Sequence, residues 1–259
     1  MLGRETAIQE AYWGDDDWIH VKQGPVPSLH VDVPGTRDDT KYWAEQRYTF
    51  ENGLHKDFQW LRTPEPERIF ATEGGKLRLF GRESIGSWFE QALVARRQTH
   101  FSYDAETTLD FSPQDERQFA GLTAYYSRYN FFYLTVTAHS DGQRELLLMR
   151  SEASWPDGNL AFSPPVSIPN AGKVKLALTI RGPKLQFFYA LEGQELQPIG
   201  PVLDASLLSD ECGGHQAHGS FTGAFVGVAA SDLNGTAMAA DFDYFIYRPV
   251  HDVTDRYEI

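Results

Sequence analysis

The chain holds one cysteine, Cys212, in 259 residues. No intramolecular disulfide can form, and a four-thiolate zinc site is excluded. A lone thiol fits a reducing compartment. No run approaches the roughly 20 consecutive apolar residues of a membrane helix, and the opening residues Met1 to Ala7 contain no apolar stretch of secretory type. The expectation is a soluble, cytoplasmic protein without an export signal of its own. Basic residues are scarce, 23 against 36 acidic ones, for a formal charge of −13. That balance argues against nonspecific binding to nucleic acid or anionic membranes, which needs a basic face. Also missing are a Gly-x-Ser-x-Gly elbow, a phosphate loop, a dinucleotide fingerprint, internal repeats and low-complexity tracts.

What is present is enough apolar material for a sizeable core: 41% hydrophobic and 14% aromatic residues. Its arrangement is that of strands. From Lys173 to Arg181, Val174, Leu176, Leu178 and Ile180 fall on one face and polar or small residues on the other, the pattern of a strand buried on one side. Gly182-Pro183-Lys184 turns the chain into Leu185 to Tyr189, a returning hairpin arm. Phe119 to Tyr126 passes through Ser127-Arg128-Tyr129-Asn130 into Phe131 to Thr137 in the same way. Further strands are expected at Lys76 to Phe80, Leu93 to Gln98, Thr107 to Phe111, Glu145 to Met149, Ala224 to Ala230 and Phe242 to Tyr247. Many short antiparallel strands with frequent turns predict an all-β sandwich or jelly roll. Ser84 to Gln91 reads as a short helix or a loop, with Gly86 inside it. Residues 1–35, with the acidic turn Gly14-Asp15-Asp16-Asp17 and the proline-spaced Gly24 to Ser28, read as an extended arm ahead of the sandwich. The sandwich is expected over 36–249 and a frayed tail over 250–259.

Several constellations have both a chemical and a plain reading. Asp241 and Asp243 share one face of a strand; such a pair can hold calcium, and the plain alternative is a solvated strand face. Cys212, His215 and His218 have metal-like spacing, but in a glycine-rich loop Cys212 is expected to be a free, accessible thiol rather than a zinc ligand. Glu83, Glu90, Asp204 and Asp210 are available for the two-carboxylate chemistry of glycosidases, which needs a separation of about 5 to 9.5 Å, but nothing in the sequence selects a pair. Trp60, Trp88 and Trp155 with Tyr125, Tyr126 and Tyr129 can serve as stacking platforms for sugars, although aromatic density in a sandwich is usually core. A free-standing, lectin-like carbohydrate-binding sandwich is therefore one reading open at this point.

A set of blocks points further. Phe58-Gln-Trp-Leu-Arg-Thr-Pro64, Leu77-Arg-Leu-Phe-Gly-Arg-Glu-Ser84, Phe89-Glu-Gln-Ala-Leu-Val-Ala-Arg-Arg-Gln98, Ile199-Gly-Pro-Val-Leu-Asp-Ala-Ser206, Phe221-Thr-Gly-Ala-Phe-Val-Gly227 and Ala240-Asp-Phe-Asp-Tyr-Phe245 together resemble the C-terminal domain of β-xylosidases of glycoside hydrolase family 43. The resemblance implies a concanavalin A-like, jelly-roll β-sandwich that follows a five-bladed catalytic β-propeller. The opening Leu2-Gly-Arg-Glu-Thr-Ala-Ile-Gln9 resembles the segment that closes out that propeller. The family reaction is hydrolysis, with inversion, of the terminal xylose of xylo-oligosaccharides, with arabinofuranosidase activity alongside; xylose and arabinose both stay open for this chain. The general base and second aspartate of the propeller and its general acid glutamate lie upstream of the Leu-Gly-Arg-Glu-Thr segment, so this chain is expected to carry no catalytic residue and to be incomplete alone. Two substrate-binding residues carry over. Arg4 corresponds to an arginine that reaches the sugar subsite, where its fixed fork binds oxygens directionally. Phe221 corresponds to an aromatic on a loop laid over the propeller pocket. The implied partners are the propeller, a xylo-oligosaccharide and, through this domain, further copies of the chain; no cofactor is implied. Phe225, four residues on, is expected to point into the core.

Overall fold

Alternation and turn chemistry decide most of the architecture. In a computed structural model, which describes residues 2–3, 7–28, 31–32, 35, 40–152, 159–212 and 221–251, these described residues form eighteen strands. They are β1 (Ala11–Trp13), β2 (Ile19–Val21), β3 (Gln46–Tyr48), β4 (Phe58–Gln59), β5 (Phe70–Glu73), β6 (Lys76–Phe80), β7 (Ala92–Arg97), β8 (Ser102–Asp110) and β9 (Gln118–Ser127). The second half adds β10 (Asn130–Ala138), β11 (Arg144–Glu152), β12 (Asn159–Phe162), β13 (Val166–Ser167), β14 (Val174–Arg181), β15 (Lys184–Leu191), β16 (Gln197–Asp204), β17 (Phe225–Asp232) and β18 (Ala239–Pro249). One short helix, α1, spans Thr40–Trp43.

Two eight-stranded antiparallel sheets make the sandwich. The first runs β12-β11-β10-β9-β17-β7-β4, with β13 also on β11; the second runs β16-β15-β14-β8-β18-β6-β5, with β3 also on β18. In β14, Val174, Leu176, Leu178 and Ile180 all face the space between the sheets and are fully buried. The β14–β15 hairpin closes on Arg181 opposite Lys184. Gly182, first of the two turn residues, takes φ 54°, which a β-carbon would resist.

The strand β10 is buried along its whole length. Phe132, Leu134 and Val136 enter the core between the sheets, while Phe131 and Tyr133 join a second apolar cluster on the outer side with Ile85, Leu93, Tyr125 and Met149. Ile85 comes from the segment read as a helix or a loop, and it is a loop. Its carbonyls are taken by a side chain instead of a helical ladder: the buried Gln91 donates from Nε2 to Ile85 O (2.8 Å) and Ser87 O (2.7 Å).

In the arm, β1 and β2 pair as a small hairpin across the predicted acidic turn, where Asp17 has φ 62° and His20 Nε2 meets Asp16 Oδ1 at 2.8 Å. Trp13 and Trp18 are 72% and 73% exposed. A two-stranded hairpin is marginal by itself in water. Helix α1, which the sequence did not announce, is held by tertiary contacts. Tyr42 donates to Thr99 O (2.6 Å) and its ring lies 4.0 Å from that of His100. Trp43 stacks on His251. His100 is 2% exposed, and burial, reinforced by the nearby Arg96 guanidinium, pushes its pKa down to about 4. The tail beyond His251 lies outside the described residues.

Two expectations follow. At Gly121 a β-carbon would overlap the Leu134 carbonyl oxygen of the neighbouring strand, so Gly121→Ala should destabilise the chain by about 3 kcal/mol or more in denaturant melts. His100 is held neutral in the fold but titrates near 6.5 when unfolded. Its contribution is therefore complete above pH 6.5 and declines as pH falls toward about 4. Thermal melts across that window should show the loss, and His100→Asn should flatten it.

Candidate functional site

The corner that carries Phe221 is built from both ends of the described chain. Strand β17 lies between β9 and β7, with Phe225 opposite Tyr125 on one side and Arg97 on the other. That register fixes where the preceding residues emerge. Arg97 donates from Nη1 to Thr222 O. The Asp210 carboxylate accepts from Gly223 N (3.1 Å) and from the Tyr126 hydroxyl. On either side of Asp210, Asn130 Nδ2 donates to Leu207 O at 3.1 Å and Cys212 O at 3.4 Å. The loop is thus tied to three strands before the chain enters β17.

Gly223 (φ 71°) and Gly3 (φ 87°) meet backbone to backbone. A β-carbon on Gly223 would lie 2.7 Å from the Leu2 carbonyl, and one on Gly3 would lie 3.0 Å from Gly223 N. Only glycines allow this approach. The start of the Leu2-Gly3-Arg4 block therefore packs on the Phe221-Thr222-Gly223 block. Arg4 itself lies outside the described residues. Phe221 is 58% exposed and stands at the rim of this junction.

Phe225 departs from expectation. It begins β17, but it is half-buried on the outer side of the sheet, at the edge of the second cluster, with Arg97 over its ring at 4.9 Å. The strand period explains it: Val226 and Val228 take the inner face, so Phe225 must take the other.

The carboxylates weighed for catalysis all serve structure. Asp204 caps the following turn by accepting from Ser206 N (2.9 Å). Glu83 accepts from Ser87 Oγ. Asp210 holds the Phe221 loop. Glu90 is gripped by Arg68 Nε at 2.7 Å and approached by Arg82 at 3.5 Å, and the Arg68 guanidinium keeps its pKa below the usual range. The calcium pair is equally engaged. Asp241 and Asp243 do lie side by side, but Arg78 grips Asp241 through Nε (2.7 Å) and Nη2 (2.8 Å), lowering its pKa. Asp243 meets Lys173 Nζ at 2.5 Å and Lys76 Nζ at 3.8 Å. Among the described residues no three His, Cys, Asp or Glu side chains gather closely enough to hold a metal ion. Cys212 is exposed; His215, His218 and Trp155 lie outside the described residues. Of the aromatics, Tyr125 and Tyr126 are core, Trp60 packs on Phe70, and Trp88 remains exposed beside Tyr129 with Arg128 over its ring.

Sequence reasoning missed the role of Asp210 as an anchor. It did not consider Arg97, whose reach to Thr222 depends on the β7–β17 register. What the corner can do is hold an apolar ring in a fixed place at a surface. Among the described residues it brings no acid–base pair together.

Two facing antiparallel sheets with a rim loop presented in this way define a concanavalin A-like β-sandwich module. More narrowly, the chain belongs to the family of β-xylosidase C-terminal concanavalin A-like domains, whose family model matches residues 47–248. It is 79% identical, over its whole length, to xylosidase/arabinosidase 43B of Humicola insolens, of which it covers 49%. It is 37% identical, over 95% of its length, to a β-xylosidase of Bacillus subtilis (strain 168), of which it covers 46%. Among solved structures, xylan β-1,4-xylosidase from Bacillus halodurans C-125 superposes with a TM-score of 0.80 at 32% identity, over 95% of this chain and 47% of that one. The chain spans about half the length of these relatives.

With its ring at the rim, Phe221→Ala should cost this chain about 1 kcal/mol or less. Phe132→Ala, in the closed core, should cost about 3 to 5 kcal/mol. Paired denaturant melts make the comparison, and equal losses would return Phe221 to the core.

Proposed function

We propose that this chain is the accessory sandwich of a family 43 β-xylosidase/arabinosidase, bracing a catalytic β-propeller and closing the propeller's sugar pocket with Phe221. The observation that carries the proposal is the Gly3–Gly223 contact. It brings the segment that resembles the end of the propeller onto the loop that resembles the pocket cover. Arg4, one residue beyond Gly3, supplies a permanently charged fork to the same pocket, suited to the hydroxyls of a terminal xylose or arabinose. The exposed hairpin of the arm supports the same reading. Tyr12, Trp13, Trp18 and Ile19 are all solvent-facing, and a catalytic body against them would remove that apolar surface from water. In this reading residues 1–35 belong to the junction and 36–249 to the sandwich. The names of the relatives, a xylosidase/arabinosidase and a β-xylosidase, support this substrate class.

Inverting hydrolysis places an acid and a base across the glycosidic bond with room for one water. In the proposed assembly both come from the propeller. The sandwich contributes a wall that excludes solvent and limits the pocket to short oligosaccharides, and that role requires no metal. Purified alone, the chain should fold but show no turnover of an aryl xyloside above the blank, because acid–base help alone is worth roughly 10² to 10⁴. Joined to a catalytic propeller, Phe221→Ala should lower kcat/KM while leaving Tm nearly unchanged. Hydrolysis by the isolated chain at ordinary enzyme rates, surviving a contaminant control, would overturn the proposal.

A further inference from the structure

Arg144 is the largest side chain in the fully buried set, at 2% exposure. It opens β11 opposite Ala138, two residues before the core residue Leu146, so it points between the sheets at the end closed by residues 168–172. That segment is stitched to it from several sides. Nη1 donates to Pro169 O (3.1 Å) and Gly172 O (3.1 Å), the Arg144 amide donates to Asn170 Oδ1 (2.8 Å), and Ile168 N donates to Arg144 O (2.9 Å). Nε and Nη2 are shielded from solvent and meet no acceptor among the described residues. Burial pushes the guanidinium pKa down, and the distant charge of Asp110 offsets this only in part. An arginine still cannot shed its proton in a protein.

The open atoms are the side-on edge of the guanidinium. Elsewhere in this chain that edge holds carboxylates in bidentate fashion: Arg78 through Nε and Nη2 on Asp241 (2.7 and 2.8 Å), and Arg68 through the same atoms on Glu90 (2.7 and 3.2 Å). A buried cation whose open edge meets no carboxylate directly is unfavourable, and a fork of this geometry is matched by an anion lying in its plane. We propose that the Nε–Nη2 edge of Arg144 is a binding site for a small monovalent anion, of chloride or formate size, that neutralises the end of the sandwich and fastens the 168–172 segment to it. One guanidinium edge balances a single negative charge, which matches a monovalent anion.

The test uses the chain as it stands. Thermal melts are compared at matched ionic strength in gluconate, sulfate, formate and chloride. Formate and chloride should raise Tm by about 2 to 4 °C with a saturable dependence, whereas gluconate should have no effect and sulfate only the non-saturating rise of a kosmotropic salt. Arg144→Met removes the charge and the fork, and should abolish the chloride-specific rise. Should that variant fail to fold, crystals of the unmodified chain soaked in bromide decide the matter, with an anomalous peak expected beside Nε and Nη2. No anion-specific rise together with no peak would overturn the proposal, as would an equal rise in Arg144→Met, which would mark general screening of surface charge.

Discussion

The first sheet is buried on both faces, and the rest of the structure follows from that constraint. A strand such as β10 has no solvent side: Phe132, Leu134 and Val136 require the second sheet, and Phe131 and Tyr133 require a cover on the other side. The loop 82–91 provides that cover by inserting Ile85, and it keeps its irregular path because Gln91 satisfies its carbonyls. Close strand approach at Gly121 and Gly227, where backbone carbonyls leave no room for a β-carbon, lets both apolar layers pack. With β9, β17 and β7 locked in register, the residues ahead of Phe225 have one place to emerge. The position of Phe221 is thus a consequence of packing several residues away.

The two outer faces of the sandwich differ in kind. On the second sheet, Asp241, Asp243, Glu106 and Asp104 alternate with Arg78, Lys173, Lys175 and Arg181 in a ladder of ion pairs. Pairs of this exposure contribute little stability each, but they keep the face hydrated and blunt any tendency to associate. The same ladder explains why a carboxylate pair two residues apart need not be a metal site, since cations on neighbouring strands already answer its charge. Exposed apolar side chains occur instead on the arm and at Phe221, and also at Trp88, Phe89, Val202 and Leu233.

Much of this was legible in the sequence where side-chain period and burial agree. The β14–β15 hairpin is written in the alternation from Val174 to Ile180 and in Gly182-Pro183, and β6 falls at its expected bounds. Legibility fails where tertiary contact decides. Strand β16 contains Pro198, Gly200 and Pro201 and buries only Ile199 and Leu203; as an edge strand it needs no strong pattern of its own. Helix α1 is four residues held by His100, Thr99 and His251. Strand β8 begins five residues before its expected start, because Tyr103 and Ala105 are core while Asp104 and Glu106 between them read as loop. Phe225 shows that strand membership does not settle which face an aromatic takes.

The candidate site was legible only through family resemblance, for a physical reason. An exposed ring on a rim loop lies outside any strand and so leaves no trace in hydrophobic periodicity. What the structure adds is the means of holding it. Arg97 and Asp210 bind the backbone of the loop, Tyr126 steadies the Asp210 carboxylate, and the Gly3–Gly223 contact leaves no side chain between the two segments. A side chain presented on an anchored backbone loses little further entropy when a surface closes on it. Under the proposed function, the order that a pocket wall requires would already be present in the described residues around Phe221, which are held by β7, β9 and the Gly3 contact.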